Sequence, residues 1–359
     1  MTVALAPDDI VRTQEEGARN EREPLLVLEP LLEFLDKSGL KAPAGLNVEP
    51  IGDGHSNVTF SLSTGVILRR PPRGPLPPSA HDVLREARLL KALETTPVRV
   101  PNVLAVCDDP AVIGAPFYVM ERVEGAVITD ALPQPLDTPA ERSRVADELV
   151  EALVELHAVD WRAAGLEGFG KPSGYLERQL RRFSGLWEHN RTRELPEVER
   201  VYSWLSAQLP ESPDATIVHG DYRLGNTMYS PAAPARLIAI FDWEMATIGD
   251  PLADLGYLMI HWLEEGDPPI GTFNLQSVTS LPGFPTRQEL IARYEQRSGR
   301  SMQALSWYVT LALWKAVVFM EGNYKRALKG STDDPFLKSF GEGVVALARR
   351  ALEVTQHGF

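Results

Sequence analysis

The stretch that decides the fold is Ile217-Val218-His219-Gly220-Asp221-Tyr222-Arg223-Leu224-Gly225-Asn226. An apolar run delivers His219 and Asp221 to a loop, and Asn226 follows Asp221 by five positions. Ten residues further on, 236–241 reads as a second apolar strand that ends at Asp242. Two strand ends therefore bring Asp221, Asn226 and Asp242 toward one another. The group offers one carboxylate able to accept a proton. It also offers an amide oxygen and a second carboxylate suited to a hard cation such as Mg²⁺. Phosphoryl transfer needs these parts, because its catalysis is mostly positioning and charge neutralisation. Taken singly, each residue reads as a loop or helix cap. The H-x-D-x-x-x-x-N spacing together with the strand-borne Asp242 carries the chemical reading.

Outward from this motif, the chain has 359 residues, which suggests two domains at roughly 150 residues each. Its 44% hydrophobic and 24% charged residues exclude a disordered or fibrous protein. A net charge of −13 argues against a broad face for nucleic acid or an anionic membrane, while leaving room for a local basic pocket. Cys107 is the single cysteine, so an intrachain disulfide and a four-cysteine metal site are both excluded, and it reads as a small buried residue. Residues 1–24 are rich in Asp, Glu and Arg and hold no signal-like apolar run. The longest apolar stretch, 307–320, is interrupted by Lys315 and is too short to span a bilayer. These features predict a soluble, cytoplasmic protein.

The hydrophobic spacing changes along the chain. Residues 25–39 carry leucines at helical spacing and stop at Gly39. Strands are predicted at 47–51, 58–63 and 66–70, the last two joined by a Thr64-Gly65 turn. The proline-dense 71–78 is loop, 81–94 a helix, and 103–107 and 117–123 two further strands. After Gly125 helices dominate, at 139–157, 175–189, 197–209, 251–263, 287–298, 302–328 and 336–352. The plan is a charged extension (1–24), a small β-rich lobe (25–123) and a larger helical lobe (124–359).

With Phe241-Asp242-Trp243-Glu244 and Gly249-Asp250-Pro251-Leu252-Ala253-Asp254-Leu255, the central motif resembles the aminoglycoside phosphotransferase family. It is most similar to the branch found as a kinase-like domain fused to some acyl-CoA dehydrogenases, which shares the Leu68-Arg69-Arg70-Pro71-Pro72 element. The resemblance runs from about residue 48 to at least Leu255. It implies an α+β, protein-kinase-like fold with two lobes. It also implies ATP (or GTP) and Mg²⁺ as cofactors, and a small-molecule hydroxyl acceptor. By the same resemblance Asp221 is the catalytic Asp that orients and deprotonates the acceptor, and Asn226 and Asp242 are Mg²⁺ ligands. Asp254 corresponds to a buried Asp that braces the catalytic loop. His219 holds the loop. Arg223 either neutralises charge on the transferred phosphate or is an exposed loop arginine.

The small lobe is expected to hold the nucleotide. Gly52-Asp53-Gly54-His55-Ser56-Asn57 lies between two strands, where Gly54, Ser56 and Asn57 can approach phosphates; read alone, two glycines in a hairpin are more often a plain turn. It departs from the protein-kinase G-x-G-x-x-G, with Asn57 in the last glycine's place. The kinase Lys has no Lys counterpart. Arg69 is the better match and Arg70 the alternative, and either can grip a phosphate through a fixed fork of N–H groups. Glu86 corresponds to the acidic partner of that cation, or to a solvated helix residue. Residues 117–125 resemble the hinge that holds a nucleobase through backbone groups at Glu121 and Val123. His157 reads as structural.

Two other readings compete. One is a nucleotide-binding pseudoenzyme, since the strand Lys is missing. The other is a metal-dependent hydrolase using His219, Asp221, Asp242 and His261. The acceptor is expected to be small, because only 243–249 separates Asp242 from Asp250, too few residues for a peptide-binding platform. The loop 264–285 begins with Glu264, Glu265 and Asp267, a cluster suited to a cationic acceptor or else an exposed acidic turn.

Overall fold

The computed structural model describes residues 6, 8–41, 43, 45–52, 57–74, 81–267, 277–330 and 335–359. They divide into two units, Met1–Glu124 and Gly125–Phe359.

In the first unit, β1 (Ile10–Val11) and α1 (Gln14–Gly17) precede β2 (Leu26–Val27) and α2 (Leu28–Lys37). Then come β3 (Val48–Ile51), β4 (Val58–Leu62), β5 (Val66–Arg70), α3 (Val83–Leu93), β6 (Val103–Cys107) and β7 (Phe117–Glu121). Five of the strands form an antiparallel sheet in the order β3-β4-β5-β7-β6. Side chains alternate across a strand, so Phe60, Leu62, Val66 and Leu68 share the core with Leu31 and Leu35 of α2. Phe34 of α2 meets Phe117 edge-on at 5.0 Å. Arg70 is buried; its guanidinium donates to the carbonyls of Pro71, Ile113 and Leu25.

The stretch before Leu25 differs from the plain extension expected of it. It contributes β1, which runs parallel to β2, and a Thr13 capping box on α1. Asp9 is buried and pairs with Arg73 at 2.6 Å. The helix expected over 25–39 begins only at Leu28, because Leu26 and Val27 are taken up in β2. Cys107 packs in the core, and burial pushes its thiol pKa up.

The second unit opens with β8 (Ala126–Val127), followed by α4 (Pro139–Ala158), α5 (Tyr175–Asn190) and α6 (Pro196–Ala207). Then come β9 (Thr216–Val218), β10 (Thr227–Tyr229), β11 (Leu237–Ile240), β12 (Thr247–Gly249) and α7 (Leu252–His261). The chain closes with α8 (Arg287–Ser298), α9 (Leu305–Leu328), α10 (Pro335–Lys338) and α11 (Phe340–His357). The apolar 307–320 stretch lies within α9, which packs against α5, α6, α7 and α11. Among the described residues no helix is long and apolar enough to cross a membrane.

Three details depart from the sequence reading. The strand expected to reach Val123 stops at Glu121. Residues 336–352 belong to two helices that break at Ser339, and the second runs on to His357. Residues 243–249, expected only to be short, form a 3₁₀ turn and then β12, which pairs antiparallel with β9.

Candidate active site

The loop that carries His219 and Asp221 is held by α7. Asp254, fully buried one turn into that helix, accepts the backbone N–H of His219 and of Gly220, both at 2.7 Å. Two short bonds from N–H groups to a carboxylate are charge-assisted and roughly twice as strong as neutral ones. Gly220 turns at φ +86°, and a Cβ there would lie 2.8 Å from the carbonyl oxygen of Met245. Only glycine fits that corner.

The same Asp254 continues into a buried chain. His157 of α4 places Nε2 3.2 Å from Asp254 Oδ2 and Nδ1 2.7 Å from the Tyr294 hydroxyl of α8. Burial, outweighing the attraction of Asp254, lowers the His157 pKa below the usual imidazole value. The ring is therefore neutral, with Nε2–H donating to Asp254 and Nδ1 accepting from Tyr294. His219 is likewise committed. Its Nε2 meets the Phe241 carbonyl at 2.8 Å, and its Nδ1 accepts from the Asp221 N–H at 3.2 Å. With both nitrogens engaged it holds the loop and has no lone pair left for a metal, which removes it from the hydrolase ligand set. Among the described residues no group of three His, Cys, Asp or Glu side chains is arranged to hold a metal ion.

Asn226 donates its Nδ2 to both the Asp221 carbonyl (2.8 Å) and Asp221 Oδ2 (2.7 Å). The side-chain oxygen of Asn226 is thus the atom left for a cation. Asp242 is brought alongside by the β10–β11 pairing, which ends with Phe241 N–H donating to the Asn226 carbonyl at 2.9 Å. Asp242 itself sits at φ 64°, ψ 58°, a left-handed conformation uncommon for a non-glycine residue and often found where a site demands it. An amide oxygen beside a carboxylate is an oxygen-only donor set that fits Mg²⁺. Arg223 places Nε 3.6 Å from Asp221 Oδ1.

A residue that the sequence reading missed joins this group. Tyr257, three positions after Asp254 on α7, has its phenol pKa raised well above the usual value by burial and by the nearby charge of Asp221. Its ring lies 4.6 Å from that of His261, whose pKa burial pushes down to about 3. The only available signal was helical spacing from Asp254, hidden in an apolar run.

In the first unit, Arg69 and Arg70 lie on opposite faces of β5. Arg69 donates through Nε to Glu86 Oε2 at 3.0 Å and through Nη1 to Thr59 Oγ1 at 3.2 Å. Glu86 is 3% exposed, so it is no solvated helix residue. Asn57 reaches the same carboxylate at 3.5 Å, and its own side-chain oxygen is buried without a hydrogen-bond partner among the described residues. That orphaned acceptor beside a paired arginine is the kind of gap a ligand or its water shell fills. Arg70 is tied to three backbone carbonyls and acts as a strut. Glu121 gives its N–H to the Asn102 carbonyl (2.9 Å), and its carboxylate accepts from the Asn102 backbone and amide at 3.0 Å each. Val123 follows the strand, half-buried. Gly54 and Ser56 lie outside the described residues.

The acidic loop is less acidic than it reads. Arg287, at the start of α8, pairs with both Glu264 (3.1 Å) and Asp267. Two of the three charges expected to draw a cationic acceptor are therefore already balanced.

Residues 47–296 match the model of the phosphotransferase enzyme family, and the chain belongs to that family. It is 34% identical over 337 residues to human acyl-CoA dehydrogenase family member 11, covering 92% of this chain and 42% of that protein. To mouse acyl-CoA dehydrogenase family member 10 it is 34% identical over 312 residues, covering 85% of this chain and 29% of that protein. The chain thus spans less than half the length of these curated relatives. Among solved structures it is similar to a candidate aminoglycoside phosphotransferase from Ralstonia eutropha, with 31% identity and a TM-score of 0.78 over 91% of this chain and 98% of that one. A thermostable mutant of the aminoglycoside phosphotransferase APH(4)-Ia, solved with AMP-PNP and hygromycin B, shares the fold at 14% identity. Its TM-score is 0.56 over 87% of this chain and 95% of that one. The fold is α+β and protein-kinase-like, and the relatives are the fused dehydrogenases that the Leu68–Pro72 element suggested.

Proposed function

We propose that this chain transfers the γ-phosphoryl group of ATP, with Mg²⁺, to a hydroxyl of a small molecule. The observation that carries this reading is the arrangement of Asp221, Asn226 and Asp242 on two paired strand ends braced by Asp254. Asp221 aligns the acceptor hydroxyl and takes its proton as the new O–P bond forms and the bond to the β-phosphate oxygen breaks. Asn226 and Asp242 would hold the cation, which supplies charge neutralisation on the phosphates. Arg223, beside Asp221, adds positive charge where negative charge gathers. In the first unit, Arg69, fixed by Glu86 and Thr59, grips phosphate oxygens, with Asn57 alongside; Gly54 and Ser56, outside the described residues, are assigned to the phosphates on the sequence resemblance alone. The Glu121 carbonyl and the Val123 N–H hold the base. The retained trio argues against a pseudoenzyme, and Arg69 keeps the cation–carboxylate pair without a lysine.

A small acceptor is favoured because 243–249 is consumed by a 3₁₀ turn and by β12, leaving no open segment on which an extended peptide could lie. APH(4)-Ia, solved with an ATP analogue and hygromycin B, supports the same class of acceptor. The test is ADP release measured against a library of hydroxyl metabolites and aminoglycosides, with peptides as controls and GTP run in parallel. Asp221→Asn is expected to abolish transfer yet bind Mg-nucleotide as before. Efficient phosphorylation of peptides with every small alcohol inert would refute the acceptor class. Wild-type turnover by Asp221→Asn would refute the site.

A further inference from the structure

The carboxylate that braces the loop has a third partner besides the two loop N–H groups. Asp254 Oδ1 takes the Gly220 N–H at 2.7 Å. Its Oδ2 takes the His219 N–H at 2.7 Å and also stands 3.2 Å from Nε2 of His157. The other ring nitrogen of His157, Nδ1, meets the Tyr294 hydroxyl at 2.7 Å, with the two rings edge-on 5.8 Å apart. All three side chains are buried. Helices α8, α4 and α7 are thus tied in series to the loop that carries Asp221.

Two features separate this series from ordinary core bonding. Tyr222 and Tyr229 also aim their hydroxyls at α4, and those bonds end on the backbone carbonyls of Leu149 and Val145. Tyr294 instead meets an imidazole whose opposite nitrogen meets a carboxylate. The second feature is direction. A neutral imidazole has one N–H and one lone pair, and the partner of one nitrogen sets the state of the other. The carboxylate at Nε2 accepts only, so the proton sits there and the lone pair at Nδ1 takes the Tyr294 O–H. Both hydrogens point toward Asp254, and bonds aligned in this way polarise one another. The terminal torsion of an aspartate is broad, so the plane of the Asp254 carboxylate is set by its donors. Two of them belong to the loop being held. His157 is the donor from outside it.

We propose that His157 and Tyr294 together are positioning residues for the transfer reaction, fixing the plane of the Asp254 carboxylate and so the height at which the loop presents Asp221 to the acceptor. The role rests on the phosphotransfer reading above.

Tyr294→Phe removes one oxygen and leaves Nδ1 bare in a buried site. With an acceptor found in the screen, kcat is expected to fall roughly 5- to 30-fold, the worth of one buried hydrogen bond. KM for Mg-ATP should stay within about twofold, because none of the groups assigned to nucleotide is altered. A second readout is independent of turnover. In protein labelled with ¹⁵N-histidine, the ring signals lost in His157→Gln are expected to report a neutral imidazole protonated at Nε2. In Tyr294→Phe the Nδ1 signal of that ring is expected to shift. A proton on Nδ1, or an Nδ1 signal unmoved in Tyr294→Phe, overturns the proposal. So does a kcat within about twofold of wild type, or a fall in kcat matched by a rise in KM for Mg-ATP, which marks general loosening. A wild-type chain inert toward every acceptor would overturn the phosphotransfer reading and this role with it, while the imidazole signals would still report whether the series of bonds exists.

Discussion

Asp254→Asn tests whether the loop is held as described. In the native chain one carboxylate takes two backbone N–H groups, each at 2.7 Å, in a fully buried site. A carboxamide of the same shape has a single oxygen. Whichever way it turns, its NH₂ faces one of the two N–H donors, so one bond is lost and a buried donor is stranded. A hydrogen bond to a charged group contributes about 1.5–3 kcal/mol, and the surviving bond is weakened to a neutral one. The expected destabilisation is therefore about 2–4 kcal/mol, against a typical total of about 5–15. Urea unfolding followed by tryptophan fluorescence is the suitable assay, because all seven tryptophans lie in the second unit. With a slope of about 2 kcal/mol per molar urea, the midpoint should drop by about 1–2 M. Transfer should also collapse, since Asp221 is carried on the released loop. Gly220→Ala strikes the same loop from its other side and should give a loss of the same sign. A midpoint for Asp254→Asn within about 0.3 M of wild type at unchanged slope would refute the brace.

Asp242→Ala is expected to weaken Mg²⁺-dependent nucleotide binding as well as rate; calorimetry giving equal affinity with and without the substitution would reassign the cation. Arg69→Ala should raise KM for ATP and, by leaving the buried Glu86 carboxylate without its cation, also lower stability. Arg70→Ala strands buried carbonyls of Leu25, Pro71 and Ile113 and should cost roughly 2–4 kcal/mol of stability in the first unit. The reverse pattern in a kinetic and thermal-melt comparison would exchange the two roles. Lys315, on α9 with its ammonium 4.9 Å from the Phe183 ring, has its pKa pushed down to about 8 from 10.5 by burial. Between those values the unfolded chain binds more protons than the folded one, so stability rises with pH across the window, and the cost is complete below pH 8. Lys315→Met should therefore stabilise the protein at pH 7 by up to about 3 kcal/mol, with the gain fading toward pH 10.5. A gain that stays constant across that range would refute the burial account.

The candidate catalytic loop was legible because its pattern is local: Asp221, Asn226 and Asp242 sit at fixed offsets around two apolar strands. Arg69 and Arg70 were harder to separate. They are neighbours in sequence and opposites in space, and only the direction of the pleat tells which one meets Glu86. Arg287 neutralises Glu264 and Asp267 across twenty or more positions, a distance at which sequence pattern carries no information. Tyr257 was invisible for another reason. In a helix as apolar as α7 a tyrosine reads as core, and its hydroxyl becomes informative only once Asp221 is placed beside it. Short strands such as β8 and β12 escaped because two or three residues show no period; they exist through their partners.

The pairing of Asp9 with Arg73, and of the Leu25 carbonyl with Arg70, bears on how this chain can be cut or joined. Arg70 is the neighbour of the residue proposed to grip phosphate, and its footing is a carbonyl that β2 holds in place against β1. Trimming the protein at Leu25 would leave Arg73 without its counter-ion and β2 without its partner strand. The effect would reach the nucleotide strand through one peptide bond. A shortened version that keeps Asp9 onward preserves that anchorage. One begun at Leu25 should melt earlier and bind nucleotide more weakly, although every residue assigned to the chemistry is still present.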